Sequence, residues 1–417
     1  MIQKLKNNPF IFNSFILFGG SMLANALNYF FHLIVGRLVS VEIYGEIESL
    51  TSLINIISVP AMTLTFIATR YASHSKATQN PLESRLIFLY LTKKVLRYGL
   101  PFFFLALVLT PLVSGFLKIE SYWPLVLIWI LMFLSFFSSV NSGIINGWQK
   151  FKSSSLIGIW SALIKLLGAF LLIKLGFELS GAIGGFLLGA LASYIASFWA
   201  IKFIFRRKNL TEEKEGLIDL KSIRKYALPV LWGTLALNVL GNADMFLAKH
   251  NLDQITAGNY GALTIVSKII FFATGVAATV LFSMSSEKNH RKESSLKTFR
   301  LASLAIFLIS GSASIIYYFF PELVLGLLFG EKYLSATPYL FWFAILVSLY
   351  SFVNLLIQYL LSVQKTAPMY SMLAISLLMA LALMFWGKSI YAILEIAILS
   401  QILAVFIGLF HLREKHA

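Results

Sequence analysis

Apolar runs of about twenty residues recur from one end of this chain to the other, the length a helix needs to cross a bilayer core. Pro101-Phe102-Phe103-Phe104-Leu105-Ala106-Leu107-Val108-Leu109 is representative. It does not alternate apolar and polar residues, as a barrel strand would. In lipid, every backbone donor and acceptor must be satisfied within the protein, which leaves the helix. Of 417 residues, 58% are hydrophobic and 12% charged. A soluble domain carries about twice that charge, so this chain cannot cover its surface with polar groups. The expected class is an all-α integral membrane protein.

The runs divide into about twelve spans, read at 10–36, 46–72, 98–117, 123–147, 154–175, 179–205, 227–248, 261–282, 299–320, 337–362, 367–386 and 389–412. Lys4 and Lys6 precede the first, but it outlasts a signal-peptide core and shows no small-residue cleavage site, so a retained segment is expected. The segment 83–97 mixes apolar and basic positions, as an interfacial helix does, and 212–225 reads as a solvated charged linker. Cysteine is absent, which excludes disulfides, iron–sulfur clusters and thiolate metal sites. No metal is expected.

A net charge of +16 would point to nucleic acid in a soluble protein. Its distribution points elsewhere. With the N-terminus inside, only Arg37, Lys118, Lys174, Lys249, Lys332 and Lys388 fall outside, and only Lys165 and Lys268 lie within spans; the rest of the 34 Lys and Arg are inside. By the positive-inside rule both termini are cytoplasmic. The outer loops are all short and leave no room for an extracytoplasmic domain.

The chain also repeats itself. At an offset of 216 residues Tyr44-Gly45 falls on Tyr260-Gly261, and Ile54, Ala61, Thr63 and Phe66 fall on Ile270, Ala277, Thr279 and Phe282. The offset covers six spans, an even number, so the halves share one orientation. Two six-helix bundles related by a parallel pseudo-two-fold repeat are expected, at 1–205 and 227–417, joined by a charged linker at 206–226.

Four ionisable residues lie deep in spans: Lys165, Asp244, Lys268 and Glu395. A charge at the bilayer centre costs roughly 2.5–3.5 kcal/mol on insertion scales, so each is a candidate functional group. In the repeat Lys268 overlies Ser52, one turn after Glu48, which puts Glu48, Ser52 and Lys268 at matched heights and faces of the second and eighth spans. Asn25, Asn28 and His32 share a face of the first span, and Asn238 and Asn242 share one of the seventh. Asp244 lies about 160° around the helix from Asn242 and takes the repeat position of Asn28. Polar residues thus gather on the first, second, seventh and eighth spans, which would line a central cavity if the two bundles meet there. Structural roles stand beside these. An intramembrane Asn can serve a neighbouring helix alone. Lys165 can snorkel or bridge to Glu395, Asp244 can sit at an interface, and Arg37 at the outer mouth can anchor the helix. Pro60 and Pro111 should kink their spans, and Gly181, Gly185 and Gly189 form a close-packing face.

Several segments carry a family likeness: 36–45 (GRLVSVEIYG), 146–151 (NGWQKF), Leu228-Pro229 with Asn242-Ala243-Asp244, 257–261 (AGNYG) and 328–333 (LFGEKY). With the span layout they resemble the polysaccharide-transport flippases, which move lipid-linked oligosaccharides of the O-antigen type across the bacterial cytoplasmic membrane. That family lies in the multidrug/oligosaccharidyl-lipid/polysaccharide exporter superfamily, beside the multidrug and toxin extrusion antiporters and the lipid II flippases. A lipid II flippase would usually have two more spans, so that branch is not expected. The resemblance implies two bundles around a V-shaped cavity, alternating access, and a cationic site for the diphosphate-linked sugar while the lipid tail stays in the bilayer. On that likeness Lys268, Arg37 and Lys165 would neutralise diphosphate. Asn25, Asn28, Asn238 and Asn242 would contact sugar, with Glu48 beside them in the substrate set. Asp244 or Glu395 would carry the coupling ion. No cofactor is implied beyond a proton or sodium gradient. The implied partners are the lipid-linked glycan, membrane lipid and other polysaccharide-assembly membrane proteins, with no nucleic acid. Two alternatives remain: a cation-coupled drug antiporter, whose cavity should be acidic or aromatic, and a membrane-embedded polymerase or ligase, which would need a large outer loop.

Overall fold

The computed structural model describes residues 9–205, 220–290, 295–363 and 365–413. All its regular elements are helical among the described residues. In chain order they are α1 (Pro9–Leu38), α2 (Val41–Ile57), α3 (Val59–Ala77), α4 (Pro81–Lys94), α5 (Leu100–Val108), α6 (Thr110–Leu117), α7 (Trp123–Gly147), α8 (Phe151–Leu172) and α9 (Glu178–Ile201), followed by α10 (Leu220–Asn251), α11 (Gln254–His290), α12 (Leu296–Phe319), α13 (Pro321–Phe329), α14 (Leu340–Ser362), α15 (Ala367–Trp386) and α16 (Ile390–Arg413). A π-helical turn, Val95–Gly99, joins α4 to α5, and a 3₁₀ segment, Glu331–Tyr339, precedes α14.

Eight helical stretches are long and apolar enough to cross a membrane among the described residues, or ten if each of two bent pairs is one span. One of the eight, Phe151–Phe205, holds both α8 and α9. This is a multi-pass, all-α membrane protein. The spans at 123–147 and 367–386 coincide with α7 and α15. Others extend further: α11 begins seven residues before the expected Gly261. The linker expected at 206–226 lies outside the described residues up to 219, and its remainder belongs to α10.

Local chemistry sets the breaks. Pro60, Pro81, Pro111, Pro124 and Pro321 each sit in the first turn of their helix, where a missing N–H leaves nothing unsatisfied. Pro111 thereby ends α5 at Val108 and bends α6 from it by 55°. Gly176 takes φ +90°, a conformation that side chains disfavour, and reverses the chain between α8 and α9. Asp253 caps α11 by accepting from the Thr256 amide at 3.0 Å. The Thr256 hydroxyl and amide hold its carboxyl below the usual aspartate range.

The chain divides into two compact units, one of residues 1–39 and 57–227, the other of 40–56 and 228–417. In the first, α3 packs on α7, and α9 packs on α8, which also meets α1. The face of Gly181, Gly185 and Gly189 presses on α8: a Cβ at Gly185 would lie 2.7 Å from the Lys165 carbonyl oxygen. In the second, α11 and α12 pack on α14, and α14 on α16. The sequence reading placed all of 1–205 in one bundle. The segment 40–56, nearly all of α2, instead groups with the second unit.

The reason is a backbone contact between repeat-related helices. Gly45 of α2 and Gly258 of α11 lie against each other, and a Cβ on Gly258 would fall 2.0 Å from the Val41 carbonyl oxygen. Only glycine permits that approach. The repeated pairs Tyr44-Gly45 and Tyr260-Gly261 thus lie on two helices of one unit. Tyr44 is fully buried and meets Phe329 and Tyr333 edge-on, while Tyr260 packs against Phe343.

Candidate functional site

In the second unit polar side chains from α2, α10 and α11 converge. The Asn242 side-chain oxygen accepts from Asn55 Nδ2 at 3.0 Å and from Lys268 Nζ at 3.4 Å. Asn242 Nδ2 in turn donates to the Asn238 carbonyl at 2.9 Å, and Asn238 Nδ2 to the Thr234 carbonyl at 2.9 Å. Asn242 is therefore fixed from both ends and buried, whereas Lys268 is half-buried and, among the described residues, donates a hydrogen bond through the longer of these contacts. A primary ammonium on a four-carbon stem, restrained at one amide oxygen, keeps capacity to donate to an anion.

Asp244, two residues on, faces a different neighbour. Its Oδ2 accepts from the Tyr260 hydroxyl at 2.9 Å across the α10–α11 turn. Its Oδ1 is buried with no hydrogen-bond partner among the described residues. A buried carboxylate oxygen left open is costly unless something transient fills it. Near the same turn Lys249 Nζ lies 3.3 Å from Glu46 Oε1 of α2, and the lysine side chain is 1% exposed against 16% for the glutamate. Glu48 is fully buried, with its stem under Gly261, where an added Cβ would lie 3.1 Å from Glu48 Cγ.

The Lys249–Glu46 pair gives an asymmetric expectation. Breaking a buried pair hurts most when it strands the deeper charge. Glu46→Gln should therefore cost about 2–3 kcal/mol of stability, and Lys249→Met less than ~1 kcal/mol, because the stranded carboxylate reaches water. Thermal unfolding of the purified variants reads the difference; equal losses would mean that the ion pair does not pin α2.

The first unit holds a separate cation. Lys165 is buried on α8 with its ammonium 4.4 Å from the Phe31 ring centroid and 4.6 Å from that of Phe186. The two rings meet edge-on at 4.9 Å. This is a cation–π box, which stabilises a desolvated ammonium. On α1, Asn25 and Arg37 are exposed and Asn28 is half-buried.

Of the residues singled out in the sequence, the structure thus brings Lys268, Asn242 and Asn238 together in one unit, and places Asp244 and Glu48 on the same helices. Glu48, expected level with Lys268, lies instead beside Gly261, two turns earlier on α11. Glu395, expected deep in its span, is exposed on α16. Asn55, Tyr260 and Glu46 were missed. Asn55 continues the i, i+4, i+7 face of Glu48 and Ser52, and that spacing was the available signal. Tyr260 gave none, since a phenol inside an apolar run reads as packing.

Comparison with known proteins decides the family. The profile described as polysaccharide biosynthesis protein matches residues 10–288, well over half of the chain. The chain belongs to the polysaccharide biosynthesis protein family. No curated protein sequence matches it significantly. Among solved structures, this family member is similar to a multidrug resistance MATE family transporter of the MOP superfamily in an inward-facing conformation, with TM-score 0.74, 13% identity, and 93% of this chain and 94% of that one covered. It is also similar to the lipid II flippase MurJ in an inward closed conformation, with TM-score 0.70, 16% identity, and 96% and 87% coverage. An outward-facing MATE structure gives TM-score 0.61 at 15% identity, covering 96% and 94%. These likenesses show that the chain shares the fold of these transporters.

Proposed function

We propose that the protein is a flippase that carries a lipid-linked diphosphate oligosaccharide from the cytoplasmic to the outer leaflet by alternating access, during synthesis of a cell-surface polysaccharide of the O-antigen type. The observation that carries this reading is Lys268: a lysine inside a membrane-spanning unit, half-buried and tethered by the Asn55–Asn242 amides, in a family named for polysaccharide biosynthesis. An ammonium there suits a diphosphate and repels a cationic drug. Asn238 and Asn242 extend the same polar face toward sugar hydroxyls, Glu48 is the buried member of the substrate set on α2, and Arg37, Lys165, Asn25 and Asn28 are the corresponding groups of the first unit. The membrane is the bacterial cytoplasmic one, with both termini inside. No cofactor takes part, and the partners are the glycan lipid, membrane lipid and other membrane proteins of polysaccharide assembly.

Asp244 is the coupling group on this reading, because its open Oδ1 offers a proton or a sodium ion a place that the fold does not otherwise fill. The exposed Glu395 is the weaker choice for that role. Asparagine at 244 still accepts from Tyr260, so the fold should survive. Asp244→Asn should slow transport at least tenfold and remove its acceleration by an imposed gradient. A variant that still responds to the gradient would exclude Asp244 as the coupling group.

The MATE-like fold favours a second reading, a cation-coupled drug antiporter. Depleting the protein from cells separates the two. The flippase account expects lipid-linked glycan to accumulate on the cytoplasmic leaflet with drug tolerance unchanged; drug hypersensitivity without glycan accumulation would support the antiporter.

A further inference from the structure

The helix that enters the third span carries a group of cations that the transport account does not use. From α4 through the π turn, Ser84, Ile87, Leu91, Val95 and Gly99 form one buried stripe. Ile87, Leu91 and Val95 join Ala68, Ala72, Val140 and Ile144 in the core of the first unit. The opposite face is exposed and mixed: Leu89, Leu96 and Leu100 stand beside Lys93 and Arg97. Lys94 lies at its edge, half-buried, with its ammonium 5.5 Å from the ring centroids of both Tyr90 and Tyr98. The Arg97 guanidinium is 6.0 Å from the Tyr98 ring.

Nothing in the described protein neutralises these three cations. The described carboxylates of this unit are Glu83, Glu120 and Glu178. Glu83 is taken by His74 at 2.8 Å. Glu120 follows α6 and Glu178 opens α9, both beyond the far ends of α6 and α8 from this segment. No ion pair to Lys93, Lys94 or Arg97 is formed among the described residues.

Their depth is set by the chain itself. The unbroken apolar run starts at Leu100, so the cations sit within about 5–10 Å of its beginning at 1.5 Å per residue. That is the headgroup layer, where long basic side chains snorkel and tyrosines gather. Leu96 and Leu100, on the same face and nearer the apolar run, suit the upper part of the acyl chains. A face that is cationic at headgroup depth and apolar toward the bilayer core matches a lipid bearing a negative headgroup, and no soluble anion would use Leu96 and Leu100. We propose that Lys93, Lys94 and Arg97, with Tyr90 and Tyr98, form a binding site for an anionic phospholipid of the bilayer, seated on the exposed face of α4 and the π turn.

Native mass spectrometry of the purified full-length protein in neutral detergent tests this. The probes are phosphatidylglycerol and, as the zwitterionic control, phosphatidylcholine. The wild type should retain phosphatidylglycerol in preference, and raised salt should erode the preference. Each cation near the surface is worth roughly fivefold, so the triple variant K93Q/K94Q/R97Q should weaken phosphatidylglycerol binding by at least tenfold. K93R/K94R should keep it, and K388Q should leave it unchanged. If the triple variant fails to fold, R97Q alone should still lose a few-fold. Equal retention of the two lipids by the wild type would overturn the proposal, as would a folded triple variant that binds normally. Binding of a long-chain isoprenyl diphosphate at these residues without phosphatidylglycerol would also overturn it, making the face a substrate-loading surface.

Discussion

Gly258→Ala should cost about 3 kcal/mol or more, seen as a large fall in melting temperature and yield of the purified protein. The added Cβ would lie 2.0 Å from the Val41 carbonyl oxygen and 2.6 Å from the carbonyl carbon. Both are backbone atoms, so no rotamer change relieves the overlap, and α2 would have to move away from α11. The same contact presses Gly45 to within 2.8 Å, as Cβ to amide nitrogen, of Gly258. Gly311 of α12 is the control: a Cβ there meets nothing within 4 Å, so alanine should be neutral or stabilise the helix by up to ~1 kcal/mol. If Gly258→Ala melts with the wild type, the seating of α2 in the second unit does not depend on this approach.

Lys268→Ala should slow transport of a diphosphate-linked substrate roughly 10- to 100-fold while leaving the fold intact. A hydrogen bond to a charged group is worth about 1.5–3 kcal/mol, and each 1.36 kcal/mol is a factor of ten in rate. The fold is spared because Asn242 Oδ1 keeps its shorter bond from Asn55 at 3.0 Å when the 3.4 Å contact to lysine is lost. Lys268→Arg should recover much of the rate, since the charge and donors remain. Unchanged melting with lost transport is the expected signature. Lost transport with a collapsed melting curve would mark Lys268 as structural.

Sequence alone carried the membrane class and most of the helix positions, because a lipid-facing helix needs an unbroken apolar run and nothing else in the chain imitates one. The prolines located the breaks for the same reason: at Pro111 the missing donor is a local fact. What stayed hidden was which helix packs with which. The repeat of Tyr44-Gly45 at Tyr260-Gly261 was visible, yet it was read as two bundles side by side. Inside one unit Gly45 approaches Gly258, whereas Gly261 meets Glu48, so the repeated pair makes two different contacts. Glu395 shows a similar limit. A carboxylate within a hydrophobic run signals depth along the axis but not the face it occupies, and on α16 that face is the exposed one. Tyr260 was invisible because its hydroxyl serves Asp244 from a position that hydropathy counts as core.

The central claim is the direction and chemistry of transport. It is tested most directly with the purified protein in sealed vesicles of defined lipid, loaded with a lipid-linked diphosphate oligosaccharide and given an imposed proton or sodium gradient. The fraction of glycan reachable by an externally added glycosidase is followed with time. The account predicts rapid exposure of glycan from the opposite leaflet with the wild type, near-background rates with Lys268→Ala, and no competition from cationic drugs. Wild-type vesicles that leave the glycan in its original leaflet, yet exchange a cationic drug for protons or sodium, would contradict it.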